Sequence, residues 1–148
     1  MTAAPPCFLC LDDGGEVLWR GDRIRVVAVD DALFPAYTRV IWHQHVAEMT
    51  QLSPAERNEL MEIVWKVESA QREILQPTKI NLAQFGNMVP HLHWHVVPRW
   101  RSDSHFPEAI WAPAPHRSVA QQLAWAEKKA DISRKLPQYY AQLQQILP

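Results

Sequence analysis

The sequence predicts an α+β fold with an antiparallel sheet, on three observations: short β-branched runs separated by turns, one long capped helical period, and a chain order of strands, helix, strands and tail. Glu16–Trp19 and Ile24–Val29 are β-rich runs with Gly21-Asp22 between them, which reads as a hairpin. Thr38–Trp42 reads as a third short strand, reached through the loop at Pro35. Ser53-Pro54-Ala55-Glu56 is a capping box with proline at the first helical position. From there Leu60, Ile63, Val64, Val67, Ala70 and Ile74 recur on one helical face until Pro77 stops the run. Lys79–Ala83 reads as a strand, Gly86-Asn87 as a turn, and Leu92–Val97 as a strand. Residues 100–115 carry three prolines and no period. Beyond them a helical region including Tyr139–Leu147 is expected, with Pro137 near its start.

The bulk properties fit one domain over residues 1–148. The 148 residues are 47% apolar, enough for a core, and the formal net charge is -1. That balance offers no electrostatic drive toward a nucleic-acid backbone, although a pocket can still favour a small anion. No run approaches the roughly 20 apolar residues that span a bilayer. Met1–Pro6 lacks the basic start and apolar run of a signal peptide, so a cytoplasmic setting is expected. Cys7 and Cys10 are too few for a disulfide framework and read as a metal half-site, a redox pair or two ordinary thiols.

His91, His93 and His95 carry the chemistry. Alternate residues of a strand share a face, so these three rings line one side and Leu92, Trp94 and Val96 the other. Each charged imidazolium disfavours charging its neighbours, which keeps the rings neutral and able to attack or to ligate. At about 3.3 Å per residue the outer two lie roughly 13 Å apart along the backbone, so one phosphate meets two adjacent rings and not all three. Unequal roles are therefore expected.

His91-Leu-His-Trp-His-Val-Val97 resembles the motif of the histidine triad (HIT) family. The approach Gly86–Pro90, the exit Pro98-Arg99, the opening Cys7-Phe-Leu-Cys10 and the segments Arg39–His45 and Met49–Ser53 are similar as well, so the resemblance spans about residues 7–112 and leaves 113–148 as an extension. It is nearest to bacterial members described as diadenosine tetraphosphate hydrolases. The resemblance implies a five-stranded antiparallel sheet with one long helix, a homodimer, and hydrolysis or transfer at the α-phosphate of a nucleotide conjugate. It implies that His93 is the nucleophile and forms a nucleotidyl-histidine intermediate, that His95 assists the leaving group, and that His91 supports them. It places Asn81, Asn87 and Asp30 near the ribose and phosphates. Trp42 and Tyr37 stand where many members have proline and some have histidine, which bears on substrate choice.

The same resemblance implies a structural zinc held by Cys7, Cys10, His45 and His91, with His43 an alternative to His45; no cofactor is implied for the chemistry itself. Two thiolates and two imidazoles are a normal tetrahedral zinc set. Two other classes stay open from the residues alone: a metal-dependent hydrolase with the triad as ligands, and a nucleotide-binding module with weak or no catalysis.

Overall fold

The computed structural model describes residues 6–148; the first five residues of the expected domain, and most of the stretch read as lacking a signal peptide, lie outside the described residues. The chain runs through a short helix α1 (Phe8–Leu11), strands β1 (Glu16–Arg20), β2 (Ile24–Ala28) and β3 (Thr38–Trp42), a 3-10 turn (Met49–Gln51), helix α2 (Pro54–Leu75), strands β4 (Lys79–Ala83) and β5 (His93–Arg99), and helix α3 (Val119–Ile146). Among the described residues five strands form one antiparallel sheet in the order β1-β2-β3-β5-β4. This is the α+β architecture the sequence predicts.

Alternation sorts the sheet into two faces. Val26, Val40, Trp42, Ile80, Leu92 and Val96 join Leu60, Ile63, Val64 and Val67 of α2 in the main core. The odd-numbered residues of β5 turn the other way, into the histidine face. Helix α2 begins at the predicted capping box: the Ser53 hydroxyl accepts the Glu56 N–H, and the Glu56 carboxylate accepts the Ser53 N–H at 2.7 Å. Gln76 closes it in the left-handed region, at φ 50°, before Pro77. Among the described residues no helix is long and apolar enough to cross a membrane.

Two expected boundaries are corrected. The C-terminal helix starts 20 residues before Tyr139, at Val119, and carries Pro137 inside it. Its start has a readable device, a second capping box in which the Ser118 hydroxyl accepts the Gln121 N–H at 3.2 Å and the Gln121 amide accepts the Ser118 N–H at 2.8 Å. An interior proline costs a helix about 3 kcal/mol. Buried Ile132, Tyr139 and Leu143 offset that by anchoring both sides of it in the main core. The Tyr139 hydroxyl also meets Thr38 Oγ1 of β3 at 2.9 Å and accepts from Gln71 Nε2 of α2 at 3.2 Å.

The second correction concerns β5, which begins at His93 and not at Leu92, and continues through Pro98 to Arg99. The β3 ladder ends at the Thr38–Val96 pair, so only β4 lies alongside Pro98, where a missing N–H is tolerated.

Arg99 holds the irregular segment that follows. Its guanidinium donates to both Asp103 carboxylate oxygens at 2.8 and 3.0 Å, to Asn81 Oδ1 at 2.9 Å and to the Glu108 carbonyl at 2.8 Å. Asp103 also accepts the N–H groups of Trp100, His105 and Phe106. Burial opposes ionisation of this carboxyl, but the Arg99 and backbone hydrogen bonds outweigh it and hold its pKa below the usual value. Asp103→Ala leaves a buried guanidinium unpaired and is expected to cost about 3–5 kcal/mol in urea unfolding. A loss below about 1 kcal/mol would show that the segment is held by other contacts.

Candidate functional site

The site is built on the face of the sheet opposite α2. Arg39 on β3 is the cross-strand partner of His95, and Ile41 of His93. Tyr37, Arg39, His93 and His95 therefore converge. A cavity of about 370 Å³ opens there, walled by Arg39, His93 and His95 from the sheet, by residues 85–89 of the loop before the triad, and by Trp111. Gly86 takes φ 87° in that loop, a conformation that favours glycine. Phe85 and Trp111 meet edge to face at 4.9 Å, and Trp111 meets the His95 ring at 5.1 Å.

The three histidines lie together but are wired differently. His93 Nδ1 lies 2.5 Å from the carbonyl of His91. A carbonyl only accepts, so Nδ1 carries the proton and Nε2 keeps the lone pair. His95 Nδ1 lies 2.5 Å from the Tyr37 hydroxyl, which the Arg39 side chain also approaches. Burial raises the Tyr37 pKa against the pull of Arg39, so the hydroxyl keeps its proton and is able to donate it to Nδ1. In that tautomer His95 presents Nε2–H as a donor. His91 precedes the strand and points elsewhere: its Nε2–H donates to the Trp42 carbonyl at 2.6 Å, leaving Nδ1 free.

All three rings have lowered pKa values, and burial is the first cause in each. This corrects the sequence expectation, which put mutual repulsion first. Repulsion is secondary for His95, where His93 and then Arg39 add to burial and the value falls to about 3. For His93 the hydrogen bond to the His91 carbonyl works against burial and Arg39 works with it.

At the other end of the row a second cluster forms. Cys7 Sγ, Cys10 Sγ, His45 and His91 ring nitrogens all lie within 4.8 Å of one another. His91 Nδ1 is 3.4 Å from Cys7 Sγ, 3.5 Å from Cys10 Sγ and 3.4 Å from His45 Nδ1, and Cys10 Sγ is 3.4 Å from His45 Nδ1. Ordinary zinc–sulfur and zinc–nitrogen bonds imply tetrahedral edges of about 3.3–3.8 Å, so this donor set fits the ion. His43 is not among the donors; its Nδ1 faces the Asp22 carbonyl at 3.1 Å. Neither His93 nor His95 belongs to the group.

The remaining sequence candidates separate. Asn87 lines the histidine cavity. Asn81 shares the face but its side-chain oxygen is taken by Arg99. Asp30 lies on the rim of a different cavity, beside Lys129 and Tyr140 of α3. Arg39, Phe85 and Trp111 were absent from the sequence candidates, and Tyr37 entered them only as bearing on substrate choice. Tyr37 and Arg39 share the alternation of β3, but only the pairing of β3 with β5 shows that their face is the histidine face.

Comparison with known proteins agrees with this geometry. The HIT domain model matches residues 14–102. An AP-4-A phosphorylase of Mycobacterium tuberculosis is 30% identical over 101 residues, covering 64% of this chain and 52% of that protein. A bis(5'-nucleosyl)-tetraphosphatase (asymmetrical) of Schizosaccharomyces pombe is 25% identical over 95 residues, 61% of this chain and 52% of that one. The chain thus spans about half the length of these curated relatives. Among solved structures, a histidine triad protein from Bradyrhizobium japonicum superposes with TM-score 0.64 at 22% identity, over 84% of this chain and 92% of that one. A zinc-bound histidine triad family protein from Mycobacterium smegmatis superposes with TM-score 0.56 at 18% identity, over 86% and 94%. These two share the fold.

The depressed His95 pKa has a consequence for stability. Between its folded value of about 3 and its ordinary value of 6.5, the unfolded chain binds a proton that the folded chain does not. Stability is therefore lost as pH falls below about 6.5. Thermal melting of His95→Gln is expected to fall less steeply than that of the native chain from about pH 7 to about pH 5, with His91 and His93 supplying the remaining slope. Parallel curves would show that His95 is not a source of the loss.

Proposed function

The chain belongs to the HIT domain family, and from that premise we propose that it cleaves nucleotide conjugates at the α-phosphate through a nucleotidyl intermediate on His93. The observation that carries this reading is the opposite wiring of two neighbouring rings. His93 has a bare Nε2 held by the His91 carbonyl behind it, and His95 has an Nε2–H held by Tyr37. One ring is set to attack and its neighbour to donate, in one cavity. The names of the two curated relatives, both enzymes of dinucleoside polyphosphates, favour the same substrate class.

In this mechanism His93 Nε2 attacks the α-phosphorus and forms a P–N bond. The P–O bond to the leaving group breaks, and its electron pair goes to the departing oxygen, which His95 Nε2–H stabilises or protonates. The ring of His93 becomes positive while Nδ1–H still donates to the His91 carbonyl, which stabilises that charge. Water then attacks the phosphorus and gives up a proton to His95 Nε2, where the leaving group has taken one, or otherwise to solvent; the P–N bond breaks, and its electron pair returns to His93 Nε2. N–H groups of the 85–89 loop and the Asn87 amide steady the phosphate oxygens. Asn81 acts through Arg99 and not by direct contact, and Asp30 reaches a nucleotide only if it extends to the second cavity. A homodimer belongs to the same reading: the outer edge of β4 has no strand partner among the described residues. The alternative of a metal-dependent hydrolase is disfavoured because the converging metal donors exclude His93 and His95.

His93→Ala is expected to lower turnover of diadenosine polyphosphates roughly a thousandfold or more, with nucleotide affinity within a few-fold and melting unchanged. Near-native turnover, or a trapped nucleotidyl adduct on another residue, would refute the assignment.

The reading also gives Cys7, Cys10, His45 and His91 a structural zinc, which when bound would tie the N-terminal helix turn to the loop before β5. Metal analysis of protein purified without added zinc should find about one ion per chain in the native protein, and little in Cys7→Ala, which should also melt earlier. No metal in either would sink the zinc site.

A further inference from the structure

We infer that Arg39 is the anion receptor of the histidine cavity, placed to hold a phosphate of the bound substrate; the identity of that anion rests on the nucleotide reading above. Of the side chains lining the cavity, Arg39 is the only lysine, arginine or carboxylate. It stands across from His95 in the β3–β5 ladder, so both project from the same face.

Its hydrogen bonding is incomplete. Nη1 donates to the Gly14 carbonyl at 3.2 Å, while Nε is buried and has no partner. No carboxylate pairs with it among the described residues. The two well-buried arginines on this face differ. Arg99 is paired with Asp103, and Arg25 donates to the carbonyls of Leu9 and Asp13 at 2.7 and 2.9 Å. The Arg39 guanidinium carbon also sits 5.6 Å from the Tyr37 ring centroid, which limits the planes it adopts.

A partly buried guanidinium without a carboxylate partner costs desolvation that the Gly14 carbonyl and the Tyr37 hydroxyl return only in part. An oxyanion entering the cavity would return it through charge-assisted, often bidentate, hydrogen bonds. Phe85, Met88, Val89 and Trp111 supply apolar walls beside it and no competing charge. A neutral ligand leaves the donor unpaired. The cavity therefore favours anions that offer two oxygens to one guanidinium, as a phosphate does, at a point adjoining both His93 and His95.

The test is titration of the full chain with inorganic pyrophosphate, read by calorimetry and by the NMR signal of the Arg39 Nε–H. In the native chain that signal should shift on addition. Arg39→Gln should weaken pyrophosphate binding by roughly 10- to 100-fold, with Arg39→Lys in between. The Michaelis constant of Arg39→Gln for a dinucleoside polyphosphate should rise by a similar factor, more than kcat falls. Unchanged pyrophosphate affinity in Arg39→Gln, no binding by the native chain, or an Nε–H signal that ignores pyrophosphate would each overturn the inference. If Arg39→Gln does not fold, the native-chain NMR signal and Arg39→Lys decide the matter. A native chain that turns over no nucleotide conjugate while still losing pyrophosphate in Arg39→Gln would defeat the nucleotide reading and leave the anion site standing.

Discussion

The register of β5 between β3 and β4 is the constraint on which the site depends. A strand alternates with period two, so a slip of one residue would send the histidines into the apolar core and Trp94 and Val96 into the cavity. Val96 is fully buried beneath α2, and Val40 and Trp42 occupy the same layer from β3. The apolar half of the strand thus holds the reactive half in place. The face the histidines take is thus set by hydrophobic burial on the opposite side of the sheet.

Three of the arginines that share the polar face with the triad are compensated in three ways. Arg99 forms a bidentate pair with Asp103, and both are almost wholly buried. Arg25 is covered by carbonyls of the N-terminal segment, so its charge closes the turn that brings Cys7 and Cys10 toward His91. Gly14, at φ 83°, lies at the end of that turn, where a Cβ would come within 2.7 Å of Leu9 Cδ2. Arg39 has no carboxylate partner among the described residues, and of the three it is the one that lines the histidine cavity.

Much of this was legible in the sequence, and the failures have physical causes. The capped start of α2, its apolar face and the alternation of the triad are local signals, and each reappears in the structure. The Ser118 capping box is equally local, but the prolines upstream and Pro137 inside the helix masked it. The roles of Tyr37 and Arg39 are different in kind. Both lie more than fifty residues from His95, and they become neighbours only through the pairing of β3 with β5, which no local pattern specifies. Likewise the depressed histidine pKa values were anticipated for the wrong leading reason. Repulsion can be read from spacing, whereas burial depends on Phe85, Trp111 and loops whose positions the sequence leaves open.

His91 joins the two halves of the site. Its side chain is held at both nitrogens, Nε2 by the Trp42 carbonyl and Nδ1 among Cys7, Cys10 and His45, so its backbone has little freedom to rotate. The carbonyl of that same residue accepts the proton of His93 Nδ1. Orientation of the His93 ring is thus set by a peptide unit anchored beside the thiol cluster. In the proposed mechanism the first triad histidine acts through its carbonyl and not through its ring. The strand spacing argued that three rings cannot serve one phosphate; the hydrogen bonds indicate how the third is used.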